Sequence, residues 1–212
     1  MKGSYIVFEG IVGTGKSTQS RKLYDYLKKK LSDREIVLTH EPGGDEIADS
    51  IRKIVQATNF KQGMTHECEA YLYAASRAQT LRTVIKPVLN RGGIVISDRS
   101  YISSAAYQGA ARDLGIDKIL EINKEAIGNI IPDLIIFIDL EPRIGLRRSF
   151  DAQGDKFEKE TIEFFKRVEL GYKEIAQREE FRNRWVNISG EGDIETVHGK
   201  IIQRIKTFLH IF

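Results

Sequence analysis

Cysteine is nearly absent from this chain: Cys68 is the only one in 212 residues. A single thiol cannot close an internal disulfide or build a cysteine zinc site, which excludes a disulfide-stapled scaffold and favours a reducing compartment. A strong charge of either sign is also missing. Lys and Arg total 33 and Asp and Glu 30, and an excess of +3 is too slight to argue for a nucleic-acid or membrane partner. No apolar run approaches the ~20 residues of a membrane span. Met1-Lys2-Gly3-Ser4 leads into strand-like sequence instead of a signal peptide. What the chain does have is material for a core: 41% apolar residues against 30% charged, which rules out disorder. These features predict a cytoplasmic globular protein.

Short apolar runs alternate with longer amphipathic stretches. Tyr5-Ile6-Val7-Phe8, Glu35-Ile36-Val37-Leu38, Gly93-Ile94-Val95-Ile96, Leu134-Ile135-Ile136-Phe137-Ile138 and Trp185-Val186-Asn187-Ile188 are rich in β-branched residues. The first and fourth are almost continuously apolar, as strands covered on both faces should be. Between them, Lys16 to Leu31 carries Leu23, Leu27 and Leu31 at helical spacing. Ile194 to Phe212 aligns Ile194, Val197, Ile201, Ile205, Phe208 and Phe212 on one stripe. Glu67 to Arg91 reads as a long helix that Pro87 should end or kink. Repeated strand–helix alternation predicts an α/β fold: a five-stranded parallel sheet with helices on both faces. No linker or repeat divides the chain, so residues 1–212 are expected to form one domain. The polar stretch Ser149 to Lys156 looks like a mobile excursion, a lid at about 147–158.

After the first strand, Gly10-Ile11-Val12-Gly13-Thr14-Gly15-Lys16-Ser17 matches G-x-x-x-x-G-K-[ST] in full. Glycines let the backbone curl so that successive N–H groups point at phosphate oxygens, and the following helix adds its positive end. In this arrangement Gly10, Gly13, Thr14, Gly15, Lys16, Ser17 and Thr18 would hold ATP. Lys16 would reach the β- and γ-phosphates and Ser17 would hold Mg²⁺. The motif marks nucleotide binding and leaves the reaction open.

Arginines at special places suggest a second phosphate. Asp98 and Arg99 follow the third strand, at the carboxyl end where open parallel sheets bind ligands. Asp98 could hold the metal and Arg99 could span donor and acceptor phosphates; a strand-end salt bridge is the alternative. Tyr73 and Arg77 share a helix face, either as base stack and phosphate grip or as core aromatic beside a surface arginine. Glu41-Pro42-Gly43-Gly44 is an acceptor wall or a plain turn. Glu9 is read either as outer-shell metal carboxylate facing the substrate or as a strand-end carboxylate that only positions the loop.

Taken together, Phe8-Glu9-Gly10, Thr39-His40-Glu41-Pro42-Gly43-Gly44, Ala74-Ala75-Ser76-Arg77, Asp98-Arg99-Ser100-Tyr101 through Gly109, and Pro132-Asp133-Leu134 are distinctive. Along nearly its whole length the chain resembles the thymidylate kinase family, P-loop enzymes that move a phosphoryl group from ATP to dTMP. The resemblance implies that Arg52, Arg77 and Arg99 surround the dTMP phosphate and that Tyr73 stacks on thymine. It places Pro42 against the thymine region and Ser104, Tyr107 and Gln108 along the base and sugar pocket. A homodimer is implied on the same ground. Kinases for another monophosphate such as dUMP, and a non-catalytic ATP-dependent regulator, are the competing readings.

The chain departs from the family at three places. Val12 stands where an acidic residue commonly meets the sugar 3′-hydroxyl, Gly13 where one branch has an arginine, and His40 where arginine is usual. The lid contains no arginine, which leaves Arg147 and Arg148 at its entry and Lys156 at its exit. Arg148 and Lys156 are therefore expected to supply lid charge, with Arg99 central. Because a phosphate monoester is largely dianionic near neutral pH, no general base is expected. Ser189-Gly190-Glu191 is a candidate adenine contact.

Overall fold

The computed structural model describes residues 2–150 and 160–211. The five apolar runs form strands β1 (Ser4–Glu9), β2 (Ile36–His40), β3 (Ile94–Asp98), β4 (Leu134–Asp139) and β5 (Trp185–Ser189). They pair in the order β2-β3-β1-β4-β5, every pair parallel, as the strand–helix alternation predicts. The helices are α1 (Lys16–Lys30), α2 (Glu46–Val55), α3 (His66–Thr80), α4 (Lys86–Asn90), α5 (Tyr101–Ser104) and α6 (Ile116–Ile127). They continue with α7 (Pro142–Phe150), α8 (Ile162–Gln177), α9 (Glu179–Arg182) and α10 (Ile194–Leu209). Two wider, π-helical segments, Leu81–Ile85 and Ala105–Ala111, follow α3 and α5.

The continuous apolar character of β1 and β4 has a simple cause. Side chains alternate across a strand, and both faces of this sheet are covered. Tyr5, Val7, Val95, Ile135 and Phe137 point to one face and pack with Phe165, Val168 and Tyr172 of α8. Ile6, Phe8, Ile94, Ile96, Ile136 and Ile138 point to the other, against Leu23 and Leu27 of α1 and Val197, Ile201 and Ile205 of α10. Ile194 breaks the expected stripe: it lies in the first turn of α10 and is exposed.

Pro87 neither ends the long helix nor stands as an isolated kink. The chain widens into the π-helical turn just before it, where Lys86 N–H reaches back to the Leu81 carbonyl, and α4 then begins with the proline in its first turn. There the missing N–H of proline costs little. Only the first part of the stretch expected to form the lid, about 147–158, is described. Arg147 to Phe150 complete α7, and residues 151–159, Lys156 among them, lie outside the described residues.

Candidate functional site

β1 delivers the phosphate loop at the carboxyl edge of the sheet. Gly10, Gly13 and Gly15 take φ of 144°, 73° and 88°, which only glycine adopts without strain. The Gly13 requirement is steric as well: a Cβ there would stand 1.8 Å from the Gly145 carbonyl oxygen of α7. An arginine cannot occupy this position while α7 packs so closely. Thr14 Oγ1 donates to the Ile11 carbonyl (3.1 Å), and Lys16 Nζ, 5% exposed, donates to the same carbonyl and lies 3.3 Å from Thr14 Oγ1. Gly15 caps α1, whose first turn contains no acidic residue, so nothing there opposes an anion at its N-terminus.

Asp98 at the end of β3 accepts a hydrogen bond from Ser17 Oγ through Oδ2, while its Oδ1 is buried without a hydrogen-bond partner. A hydroxyl beside an orphaned carboxylate oxygen, at the mouth of a phosphate loop, suits a hard divalent cation that takes its remaining ligands from phosphate and water. No cluster of three or more His, Cys, Asp or Glu exists among the described residues to offer a different metal centre.

Two joined clefts open along this edge. The outer one, about 1570 Å³, is walled by the phosphate loop, Asp98, Arg52, Arg99 and Arg148. The inner one, about 440 Å³, is lined by Pro42, Arg52, Tyr73, Arg77, Arg99, Ser104, Tyr107 and Gln108. Every residue expected to bind the acceptor except Glu9 is brought together there. Arg99 lies on the wall the two clefts share. Its backbone is left-handed (φ 76°), its N–H bonds the Phe8 carbonyl at 2.9 Å, and its guanidinium donates to the Gly10 carbonyl, Ser103 Oγ and Tyr107 Oη at 3.1–3.3 Å. Burial works against its charge, but Tyr107, Tyr172, Asp98 and Glu9 around it more than offset this and push the pKa up.

The three arginines are not equivalently placed. Arg52, held by the Pro42 carbonyl at 2.8 Å, and Arg99 line both clefts. Arg77 lines only the inner one and is 2% exposed. Its Nε donates to Glu41 Oε2 at 2.6 Å, Nη1 to Asn123 Oδ1, and Nη2 to Ser104 Oγ at 3.1 Å. Glu41 cancels its charge in place, so what Arg77 presents to the cleft is directed N–H groups. That suits a neutral carbonyl better than a phosphate dianion.

Glu9 is likewise relocated. It is fully buried and lines neither cleft. Ser100 Oγ (2.6 Å), Ser103 Oγ (2.6 Å) and Tyr172 Oη (2.9 Å) satisfy both of its oxygens. Burial pushes its pKa up, partly offset by these hydrogen bonds and Arg99. With Glu9 enclosed by these donors and lining neither cleft, the geometry fits the positional one of its two readings. Ser100, Ser103, Tyr172, Glu41, Asn123 and Glu69 all support the site; Glu41, Ser100 and Ser103 stood in motifs singled out in the sequence, while Tyr172, Asn123 and Glu69 went unrecognised. Asn123 lies 46 residues from Arg77 in no motif, and only the packing of α6 on α3 joins them.

On the far side of the phosphate loop a third cleft is lined by Gly13, Thr14, Thr18, Gln19, Arg148, Gly190 and the turn Gly192 to Glu195. Of Ser189-Gly190-Glu191, only Gly190 lines it. Arg148, at the end of α7, donates to the Gly190 carbonyl at 3.3 Å and borders both this cleft and the outer one.

Comparison with known proteins agrees with this geometry. A family model described as thymidylate kinase matches residues 8–201. A thymidylate kinase from Finegoldia magna is 46% identical over 205 residues, covering 95% of this chain and 97% of its own. One from Thermoanaerobacter sp. (strain X514) is 40% identical over 210 residues, covering 99% and 100%. Among solved structures, thymidylate kinase from Ehrlichia chaffeensis superposes with a TM-score of 0.79 at 30% identity, over 97% of this chain and 99% of that one. With a phosphate loop, an arginine-walled acceptor cleft and relatives matching end to end, the chain belongs to the thymidylate kinase family.

Proposed function

We propose that this chain is a dTMP kinase that transfers the γ-phosphoryl group of ATP to dTMP, giving dTDP and ADP. The observation that carries the proposal is the pair of clefts meeting at Arg99, one walled by the phosphate loop and one lined by Tyr73, Pro42, Arg77 and Gln108. ATP lies with its phosphates in the cradle of Gly10 to Thr18, under Lys16, and its base toward the third cleft beside Gly190. Ser17 and Asp98 would hold Mg²⁺, which would neutralise charge on the phosphate oxygens. The dTMP base enters between Tyr73 and Pro42, with Gln108, Ser104 and the Arg77 N–H groups at its edge. Its phosphate meets Arg52 and Arg99, and Tyr107 lies along the sugar.

Catalysis then consists of alignment and charge screening. Donor and acceptor are both anionic, and Lys16, Arg52 and Arg99 offset their repulsion while holding them in line. The acceptor phosphate is already a nucleophile at neutral pH, so no base is required. The segment from Arg147 to about residue 158 acts as the lid, whose closure excludes water and prevents waste of ATP. Arg148 carries lid charge toward the transferring group. Alanine at Arg148 is expected to lower kcat by roughly 10- to 100-fold and to raise the KM for ATP, with KM for dTMP little changed, in steady-state assays.

The exposed apolar side chains Ile47 and Ile54 of α2 and Tyr71 of the helix α3 packed on it support a homodimer. A free, exposed Cys68 and nucleotide substrates suit the cytoplasm. The deciding experiment incubates the protein with ATP, Mg²⁺ and a panel of nucleoside monophosphates and separates the diphosphates. Product from dTMP above all others is expected. ADP release indifferent to the acceptor would overturn the reading.

A further inference from the structure

We propose that Glu69 is a positioning residue that fixes which end of the Gln108 amide faces the inner cleft, and thereby which pyrimidine the enzyme accepts. The proposal rests on the reading of that cleft as the base site. Gln108 lies in the second π-helical segment and Glu69 in α3, 39 residues away, and both side chains are 1% exposed. Gln108 Nε2 donates to Glu69 Oε1 at 2.7 Å. A carboxylate offers only acceptors, so the amide must give it the N–H end and turn its own oxygen to the cleft. Glu69 is itself held from behind. Arg112 Nε lies 3.6 Å from the same oxygen, and Arg112 Nη2 bonds Glu160 Oε1 at 2.6 Å.

The cleft wall therefore presents two opposed polarities. Arg77 offers donors, since three of its five N–H groups serve Glu41, Asn123 and Ser104 and two are left on its terminal nitrogens. Gln108 Oε1 offers an acceptor. A carbonyl beside a ring N–H, the imide edge of thymine and uracil, satisfies both. Cytosine carries an amino group and a bare ring nitrogen there and mismatches twice, leaving buried groups unpaired.

The test measures kcat and KM for dTMP and dCMP with ATP in the whole protein and in Glu69→Gln. Glutamine at 69 both donates and accepts, so the Gln108 amide is released to turn. Expected are a dTMP KM raised about tenfold, kcat within about threefold, and a dTMP-over-dCMP preference in kcat/KM reduced at least roughly tenfold. KM for ATP should not move. The swap Glu69→Gln with Gln108→Glu restores an acceptor toward the cleft and should recover most of the preference, which a merely structural role would not. A Glu69→Gln preference within about twofold of the parent, or a swap no better than the single variant, overturns the proposal. If Glu69→Gln does not fold, Gln108→Leu must lose the preference instead, and its retention overturns the proposal equally. Calorimetric binding of dTMP and dCMP to the same proteins separates the two readings. A parent protein that binds dTMP without turnover would refute the kinase assignment and leave the Glu69 effect measurable.

Discussion

Alanine at Arg99 is expected to lower kcat for dTMP phosphorylation by roughly 10³-fold, with KM for ATP within a fewfold of the parent. The argument is one of placement. β3 ends at Asp98, and the next residue turns left-handed so that its side chain crosses between the clefts instead of following the strand. The guanidinium is then fixed by the Gly10 carbonyl, Ser103 and Tyr107, with its carbon 5.0 Å from the Tyr107 ring centre. A cation locked in this way need not reorganise as charge builds on the transferring group, which is where fixed charges contribute most. Lysine at 99 should recover little, because one ammonium cannot serve both clefts or keep three fixed partners. Alanine removes a guanidinium that helps keep the buried Glu9 charged, so a modest fall in unfolding temperature should accompany its kinetic loss. Steady-state kinetics with thermal melts check the pair of expectations. A kcat loss below about tenfold would remove Arg99 from the centre of the site.

Alanine at Arg77 should act first on stability. Arg77 and Glu41 have side chains only 2% exposed and lie 2.6 Å apart, and removing one partner strands the other charge in the core. Breaking such a pair costs about 3–5 kcal/mol, or roughly 10 °C in Tm for a chain of this size. The loss should grow with pH. Burial already pushes the Glu41 carboxyl above its ordinary 4.5, against the lowering influence of Arg77. Without Arg77 that carboxyl rises further. A carboxyl raised in the folded state binds its proton more tightly there than when unfolded, so stability falls as pH climbs from about 4.5 through the folded pKa. The variant should therefore melt closer to the parent at pH 5 than at pH 8. Adding Glu41→Gln should return part of the lost Tm, since no uncompensated charge is then left. Equal Tm losses at both pH values would contradict the stranded-charge account.

How far the sequence could be read follows from how local each feature is. The phosphate loop was legible because its chemistry sits in eight consecutive residues, and even the glycine spacing reflects φ values that the loop imposes on itself. The five strands were legible because covering both faces of a parallel sheet writes an unbroken apolar run. Asp98 was legible from its place after such a run. Arg77 was visible but its partners were not. Helical spacing put it on one face with Tyr73, while the partner that cancels its charge comes from the end of β2 and another from α6. Glu9 behaved the same way, since nothing in its neighbours foretells that Ser100, Ser103 and Tyr172 enclose it.

The sequence by itself determined the order of strands and helices, the phosphate cradle, and the set of side chains gathered at the carboxyl edge of the sheet. These depend on periodicity and on contiguous motifs, which survive any detail of packing. Only the tertiary structure decided which arginines line both clefts and which lines the inner one alone, whether Glu9 meets solvent or core, and which side chain the Gln108 amide bonds. Each of those turns on the partner a polar group finds when water is withdrawn. That partner lies tens of residues away, chosen by how helices pack and not by spacing along the chain.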